Sequence, residues 1–167
     1  MRGLDRLADA ASLLDPAWAL VAMGDGPLAA PLLATKRIHL IPPAPHAALA
    51  QWTCGAALGA VLYEDLGLNQ HYCSPNKLWE YAAAGVPALA SDLPEIARVV
   101  RGYGTGLLID PAAGPHEIAA AVNALGPDDL VRYGASARRF AETETWSQEV
   151  APLLALANRL LSRESPR

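Results

Sequence analysis

Cysteine is scarce in this chain: Cys54 and Cys73 are the only two in 167 residues. Two thiols make no disulfide framework, and no Cys/His spacing resembles a zinc site, so no metal is expected. Charge is scarce as well, at 18% of residues with a formal net charge of -4. No run of Lys and Arg occurs, which argues against nucleic acid as a partner. Long apolar runs are missing: nothing approaches the ~18 residues a membrane-spanning helix needs. The N-terminal stretch MRGLDRLADAASLLDPAWALVAM carries Asp5, Arg6 and Asp9. A signal peptide needs an unbroken apolar region there. A reducing cytoplasm is therefore the expected compartment. What the chain does have is apolar residues, 52% of the total, enough for one globular domain with a sizeable core.

Apolar spacing then orders the chain. Leu4, Leu7, Ala8, Ala11, Leu13 and Leu14 recur at helical intervals, so residues 3–14 read as an amphipathic helix stopped by Asp15-Pro16. The continuous apolar run at 18–23 reads as a strand buried on both faces, and 37–41, 58–63, 86–90 and 105–109 read as four further short strands. Helices are expected at 28–34, 46–54, 75–84, 93–100, about 115–124, 128–143 and 147–162, with a polar loop over 64–73. Strands alternating with helices mean a parallel sheet covered on both sides, a doubly wound, Rossmann-like α/β domain over residues 1–162. Residues 163–167 read as a loose tail.

The chemistry collects in HYCSPNKLWEYAAAG, from His71 to Gly85. Ser74 is a suitable N-cap and Pro75 a suitable first helical residue. The tip of that helix would face the carboxyl-end loops, where open parallel sheets bind ligands. A helix N-terminus with Lys77 in its first turn suits a pyrophosphate. Glu80, on the Lys77 side one turn on, suits the two hydroxyls of a ribose. The same residues are equally an ordinary capped helix with a weak surface ion pair.

The segment Val61–Val99 resembles the donor-nucleotide half of GT-B glycosyltransferases of the family 4 type, also called glycosyl transferases group 1. The resemblance rests on LYE (62–64), LN (68–69), YCSPNKLWEYAAAG (72–85), VPALASDLPE (86–95) and Gly106. Gly24-Asp25-Gly26-Pro27 is similar to that group's Gly-x-Gly-Pro turn, and the approach to Trp146 to its entry into the last helix. The resemblance implies that Glu80 holds the donor ribose and that backbone N–H groups from Cys73 to Asn76 hold the phosphates. Ser74, Asn76 and Lys77 would serve those phosphates too. Tyr72 stands where many members carry a glutamate that contacts the sugar, a departure shared by a Ser-Pro-Asn-Lys subgroup. Gly24, Tyr63 and Glu64 join the candidate donor site, each with a plainer reading as a turn or strand-end residue.

Other residues are assigned to structure. Cys73 lacks a His–Asp set that would make it a nucleophile, and His71 lacks an orienting group. Asp92 and Glu95 read as caps of the helix that Pro94 begins. Cys54, Trp52, Trp79 and Trp146 are expected to pack in the core, His46 and His116 on the surface, and Asn69 in the loop.

The resemblance also implies what is missing. The family's domain has a central first strand, and an acceptor-side domain precedes it; here the chain opens on the following helix. A gap is therefore expected between the strands at 18–23 and 58–63, and the basic groups of that first strand's loop have no counterpart. A fragment is the favoured account. The expected function is the donor-binding half of a retaining glycosyltransferase, moving a sugar from a nucleotide-sugar to a hydroxyl acceptor without a metal or other cofactor. It would need an acceptor-binding domain or subunit, through which contact with the inner face of a membrane stays open. The alternative is a non-catalytic orphan domain that binds a nucleotide or a partner; a sugar-nucleotide epimerase of the same two-domain fold lacks identifiable acid and base residues.

Overall fold

The computed structural model describes residues 3–35 and 37–163. Residues 164–167, most of the expected tail, lie outside the described residues, and Arg163 closes the last helix. The element order is α1 (Leu4–Ala10), a 3-10 turn (Ala11–Leu13), β1 (Leu20–Met23), α2 (Ala29–Leu33), β2 (Ile38–Ile41), α3 (His46–Thr53) and β3 (Gly59–Val61). There follow α4 (Leu68–His71), α5 (Lys77–Ala83), β4 (Ala88–Ser91), α6 (Pro94–Tyr103), β5 (Gly106–Ile109), α7 (Pro115–Asn123), α8 (Pro127–Thr143) and α9 (Trp146–Arg163).

All five expected strands form and every pairing is parallel, but they make two sheets. β1 pairs with β2, Leu20 opposite Ile38 and Met23 opposite Ile41. The other sheet has the order β3-β4-β5, with Ala88 opposite both Gly59 and Gly106. Among the described residues no strand pairing joins the two sheets, which leaves a break between them.

Helix α1 spans that break through its sequence. Leu4, Ala8 and Ala11 pack with Leu20, Ala22, Leu32, Ile38 and Leu40 of the smaller sheet and α2. Leu7, Ala10 and Leu14 turn instead to Leu62, Leu89, Ile118, Ala119 and Val122. Two apolar stripes on one short helix thus serve two cores. The main core lies on the opposite face of β3-β4-β5, where α5, α6 and α8 bring Leu78, Ala82, Ile96, Val99, Val100, Ala137 and Phe140 onto Val61, Ala88 and Ala90. β4 serves both faces by strict alternation, Ala88 and Ala90 one way and Leu89 the other. Each fully buried Ile or Phe here contributes about 1.5–3 kcal/mol.

Two differences from expectation concern the site. β3 ends at Val61 because a side chain takes over the pairing. Ser91 Oγ donates to the Tyr63 carbonyl at 2.8 Å and accepts the Tyr63 N–H at 2.9 Å. The loop after it also holds a short helix, α4, which Gly67 introduces and whose four residues are too few for periodicity to reveal.

Three packing assignments are corrected. Cys54 and Trp52 are exposed, because α3 spreads its alanines around the helix, presents no apolar stripe and buries no residue. Trp146 is 80% exposed at the start of α9, whose residues 151–162 all face solvent. Trp79 does pack against the main core, its ring 5.5 Å from that of Phe140. Among the described residues no helix is long and apolar enough to cross a membrane.

Candidate functional site

The carboxyl ends of β3, β4 and β5 open onto a cavity of about 580 Å³. Its ionisable lining comes from six residues: Arg6, Glu64, Asp65, His71, Asp92 and Asp110. Open parallel sheets bind ligands at this end, and the volume lies within the range of small-molecule sites. Glu64 and Asp65 follow β3, Asp92 follows β4 and Asp110 follows β5, so chain direction alone brings these carboxylates together.

Arg6 reaches the cavity from α1. Its Nη1 donates to the carbonyls of Pro111 and Ala113, both at 2.8 Å, which fastens α1 to the β5–α7 turn. Its Nε lies 3.9 Å from Glu64 Oε1 and is buried with no hydrogen-bond partner among the described residues. Sequence reasoning missed this cation, since no motif marks a lone arginine in an amphipathic helix.

His71, the last residue of α4, sits 2.9 Å from Asp65 through Nδ1 and edge-on to the Tyr72 ring at 4.5 Å. Asp65 is therefore the orienting group that His71 was expected to lack. Asp92 and Glu95 do not cap α6: Leu93 occupies the N-cap, with no side-chain hydrogen bond. Instead Asp92 pairs with Arg101 at 2.8 Å and Glu95 with Arg98 at 2.9 Å. These arginines, with His71 and Asp92, line a second, shallower hollow beside the first.

The expected phosphate-binding segment runs alongside. Helix α5 begins at Lys77 with Asn76 at its N-cap and no side-chain cap, so Ser74, exposed two residues earlier, does not cap it. The tight first turn is closed by the backbone. The Leu78 N–H donates to the Pro75 carbonyl, those of Trp79 and Glu80 to that of Asn76, and that of Cys73 to Gln70. The N–H groups of Leu78, Trp79 and Glu80, and that of Cys73, are thus engaged within the chain. Lys77 and Glu80 are exposed and form the expected ion pair at 3.5 Å. Burial raises the Cys73 thiol above its ordinary pKa, only partly opposed by its backbone hydrogen bond, so it stays protonated near neutrality.

Of the candidate donor residues, only Glu64 lines the cavity. Tyr72 is 60% exposed at the end of α4, and Tyr63 packs against the main core. Gly24 lies at the end of β1, on the smaller sheet, its N–H donating to the Ile41 carbonyl. Gly24 and Gly26 have φ of 136° and 140°, which a residue with a Cβ rarely adopts, so the turn requires glycine whatever else it does. Neither hollow is lined by Gly24, Tyr63, Tyr72, Cys73, Ser74, Asn76, Lys77 or Glu80. Among the described residues no group of three or more His, Cys, Asp or Glu is arranged to hold a metal ion.

Solved structures share this architecture. Sucrose-phosphate synthase of Thermosynechococcus elongatus superposes with a TM-score of 0.75 at 21% identity, over 98% of this chain and 43% of that one. HepE of Anabaena, solved with UDP and glucose, gives 0.72 at 17% identity, over 92% and 45%. WaaG, a glycosyltransferase involved in lipopolysaccharide biosynthesis, gives 0.66 at 19% identity, over 86% and 40%. At these identities the likeness is one of fold. The chain spans less than half the length of each of these proteins. No curated protein sequence matches it. The family model for glycosyl transferases group 1, however, matches residues 1–128, a stretch that takes in α1, the Gly24–Pro27 turn, the cavity and α5. On that match, over most of its length, the chain belongs to the glycosyl transferases group 1 family.

Proposed function

We propose that this chain is the donor-binding, C-terminal half of a retaining glycosyltransferase of the family 4 type, which moves a sugar from a nucleotide-sugar to a hydroxyl acceptor. The observation that carries the reading is the tip of α5 within a family-matched segment. There a cation and a carboxylate, Lys77 and Glu80, stand exposed one turn apart beside the carboxyl ends of the strands. In this reading Lys77, Ser74 and Asn76 hold the donor diphosphate, and Glu80 accepts the ribose hydroxyls. The negative charge that builds on the leaving phosphate is stabilised by Lys77, an electrostatic contribution that grows as water is excluded. That HepE was solved with UDP and glucose supports a nucleotide-sugar as the ligand class. The acceptor and the second wall of the cleft belong to a further domain or subunit, so the chain alone binds donor without turning it over.

Calorimetric titration with UDP, ADP and GDP tests this directly. One of the three should bind, and Lys77→Ala and Glu80→Ala should each weaken it by about tenfold, or 1.4 kcal/mol. The pair is exposed, so neither change should cost more than ~1 kcal/mol of stability. An affinity indifferent to both substitutions rules out this site, and steady release of UDP from UDP-glucose by the chain alone rules out the half-enzyme reading.

A further inference from the structure

Helix α9 leaves its apolar side uncovered. Trp146, Leu153, Leu154, Leu156, Leu160 and Leu161 are each between 44% and 80% exposed. They do not scatter over the helix. Trp146, Val150, Leu153, Ala157 and Leu160 follow one another at intervals of four, three, four and three residues, the spacing of a seam that packs against a second helix. Leu154 and Leu161 flank the seam on one side and Leu156 on the other, while Pro152, Ala155 and Arg159 fall away from it. The six exposed residues leave on the order of 700 Å² of surface uncovered, more than an ordinary monomer shows in one patch and close to the ~800 Å² that each partner contributes to a stable interface.

We infer that the partner for this stripe is α9 of a second copy of the chain, laid antiparallel. The residues of the seam select both the partner and its direction. In a parallel pair each seam position meets itself, so Ala157 faces Ala157 and leaves a void beside a Leu–Leu layer. In an antiparallel pair centred at position 155, Leu153 of each copy meets Ala157 of the other, and Val150 meets Leu160. Every one of these layers then joins a larger residue to a smaller one. Leu154 and Leu156 meet their own counterparts on either side of the two-fold axis, as a self-complementary interface requires. The charges agree: Glu149 stands near the start of the helix, and Arg159 and Arg163 come near its end in the sequence. Antiparallel pairing sets the acidic end of one copy beside the basic end of the other and opposes the two helix dipoles. No residue of the proposed donor site lies on α9, so this pairing stands or falls apart from donor binding.

Sedimentation velocity on the full chain, from about 1 to about 200 μM, should show a monomer–dimer equilibrium that shifts with concentration. Leu153→Glu with Leu160→Glu should raise the dissociation constant at least about a hundredfold, because pairing would bury four unpaired carboxylates. Both leucines face solvent in the single chain, so the variant should keep its fold by circular dichroism. Ala155→Glu, on the opposite side of the helix, is the matched control and should associate within about threefold of the unaltered chain. Direction is read separately, with Cys54→Ser removing the exposed native thiol. A short bismaleimide should then cross-link copies through Leu156→Cys and not through Val150→Cys. Cross-linking through Val150→Cys instead means a parallel pair and overturns the direction. A chain that stays monomeric at every concentration overturns the pairing and leaves the stripe to another occupant, such as an acceptor-side domain. Dimers that survive the two glutamates place the contact elsewhere and overturn it equally.

Discussion

Gly134, inside α8, tests whether α5 is seated as the structure shows. A Cβ added there would lie 2.7 Å from the carbonyl oxygen of Gly85, the residue that ends the α5 turn at φ 71°. Helix propensity alone predicts that Gly134→Ala stabilises by up to about 1 kcal/mol. The contact opposes it: 2.7 Å is too close for a methyl and an oxygen, and the oxygen belongs to backbone that cannot swing aside. Overpacking of this kind costs about 1–3 kcal/mol, so the net effect should be a loss of about 1 kcal/mol. Gly102 of α6 is the matched control, since nothing lies within 4 Å of a Cβ built there. Gly102→Ala should therefore stabilise by about 0.5 kcal/mol or more. At about 2–4 °C per kcal/mol for a chain of this size, the two melting midpoints should separate by roughly 5 °C, readable by circular dichroism on the two variants side by side. If Gly134→Ala melts at or above Gly102→Ala, α8 does not press on the Gly85 turn, and the described seating of α5 is wrong.

Three further outcomes follow from the same coordinates. Phe140→Ala should cost about 3–5 kcal/mol in urea unfolding, because Phe140 is fully buried between Trp79 and Tyr103 and also supports the helix that carries Glu80. Iodoacetamide should label exposed Cys54 before Cys73, followed by mass spectrometry of the two peptides, and raising the pH should be needed to bring Cys73 level. Faster labelling of Cys73 at neutral pH would reopen it as a nucleophile. The Asp129 carboxyl is held below its ordinary pKa by the hydrogen bond from Arg132 and then by the Gly126 N–H. A depressed folded-state value means that its contribution is present above the unfolded carboxyl pKa and is lost as pH falls through the lower one, so Asp129→Asn should flatten the acid side of the stability profile.

How much was legible beforehand varies from residue to residue. The strands at 20–23 and 106–109 were readable because uninterrupted apolar runs have few other uses in a short chain. α4 was not, since four residues carry no period. Ser74 looked like a cap by residue type, yet whether a hydroxyl caps depends on the exact start of the helix, and backbone bonds to Pro75 and Asn76 move that start to Lys77. Trp146 and Trp52 looked like core residues by hydrophobicity, but burial depends on which face of a helix meets a neighbour. The Lys77–Glu80 pair was visible from spacing alone, because residues three apart on a helix always share a side.

The sequence by itself determined the alternation of strand and helix, the parallel sense of the pairing that alternation forces, and the family, which rests on motifs set in fixed order along the chain. Those properties are local or follow from chain order. Only the tertiary structure decided that α1 packs against both sheets. It also decided that Arg6 meets carbonyls more than a hundred positions away, and that Glu64, Asp92 and Asp110 share one cavity. Each of these depends on the direction in which a side chain leaves its element and on where distant elements come to rest, and no spacing along the chain encodes either.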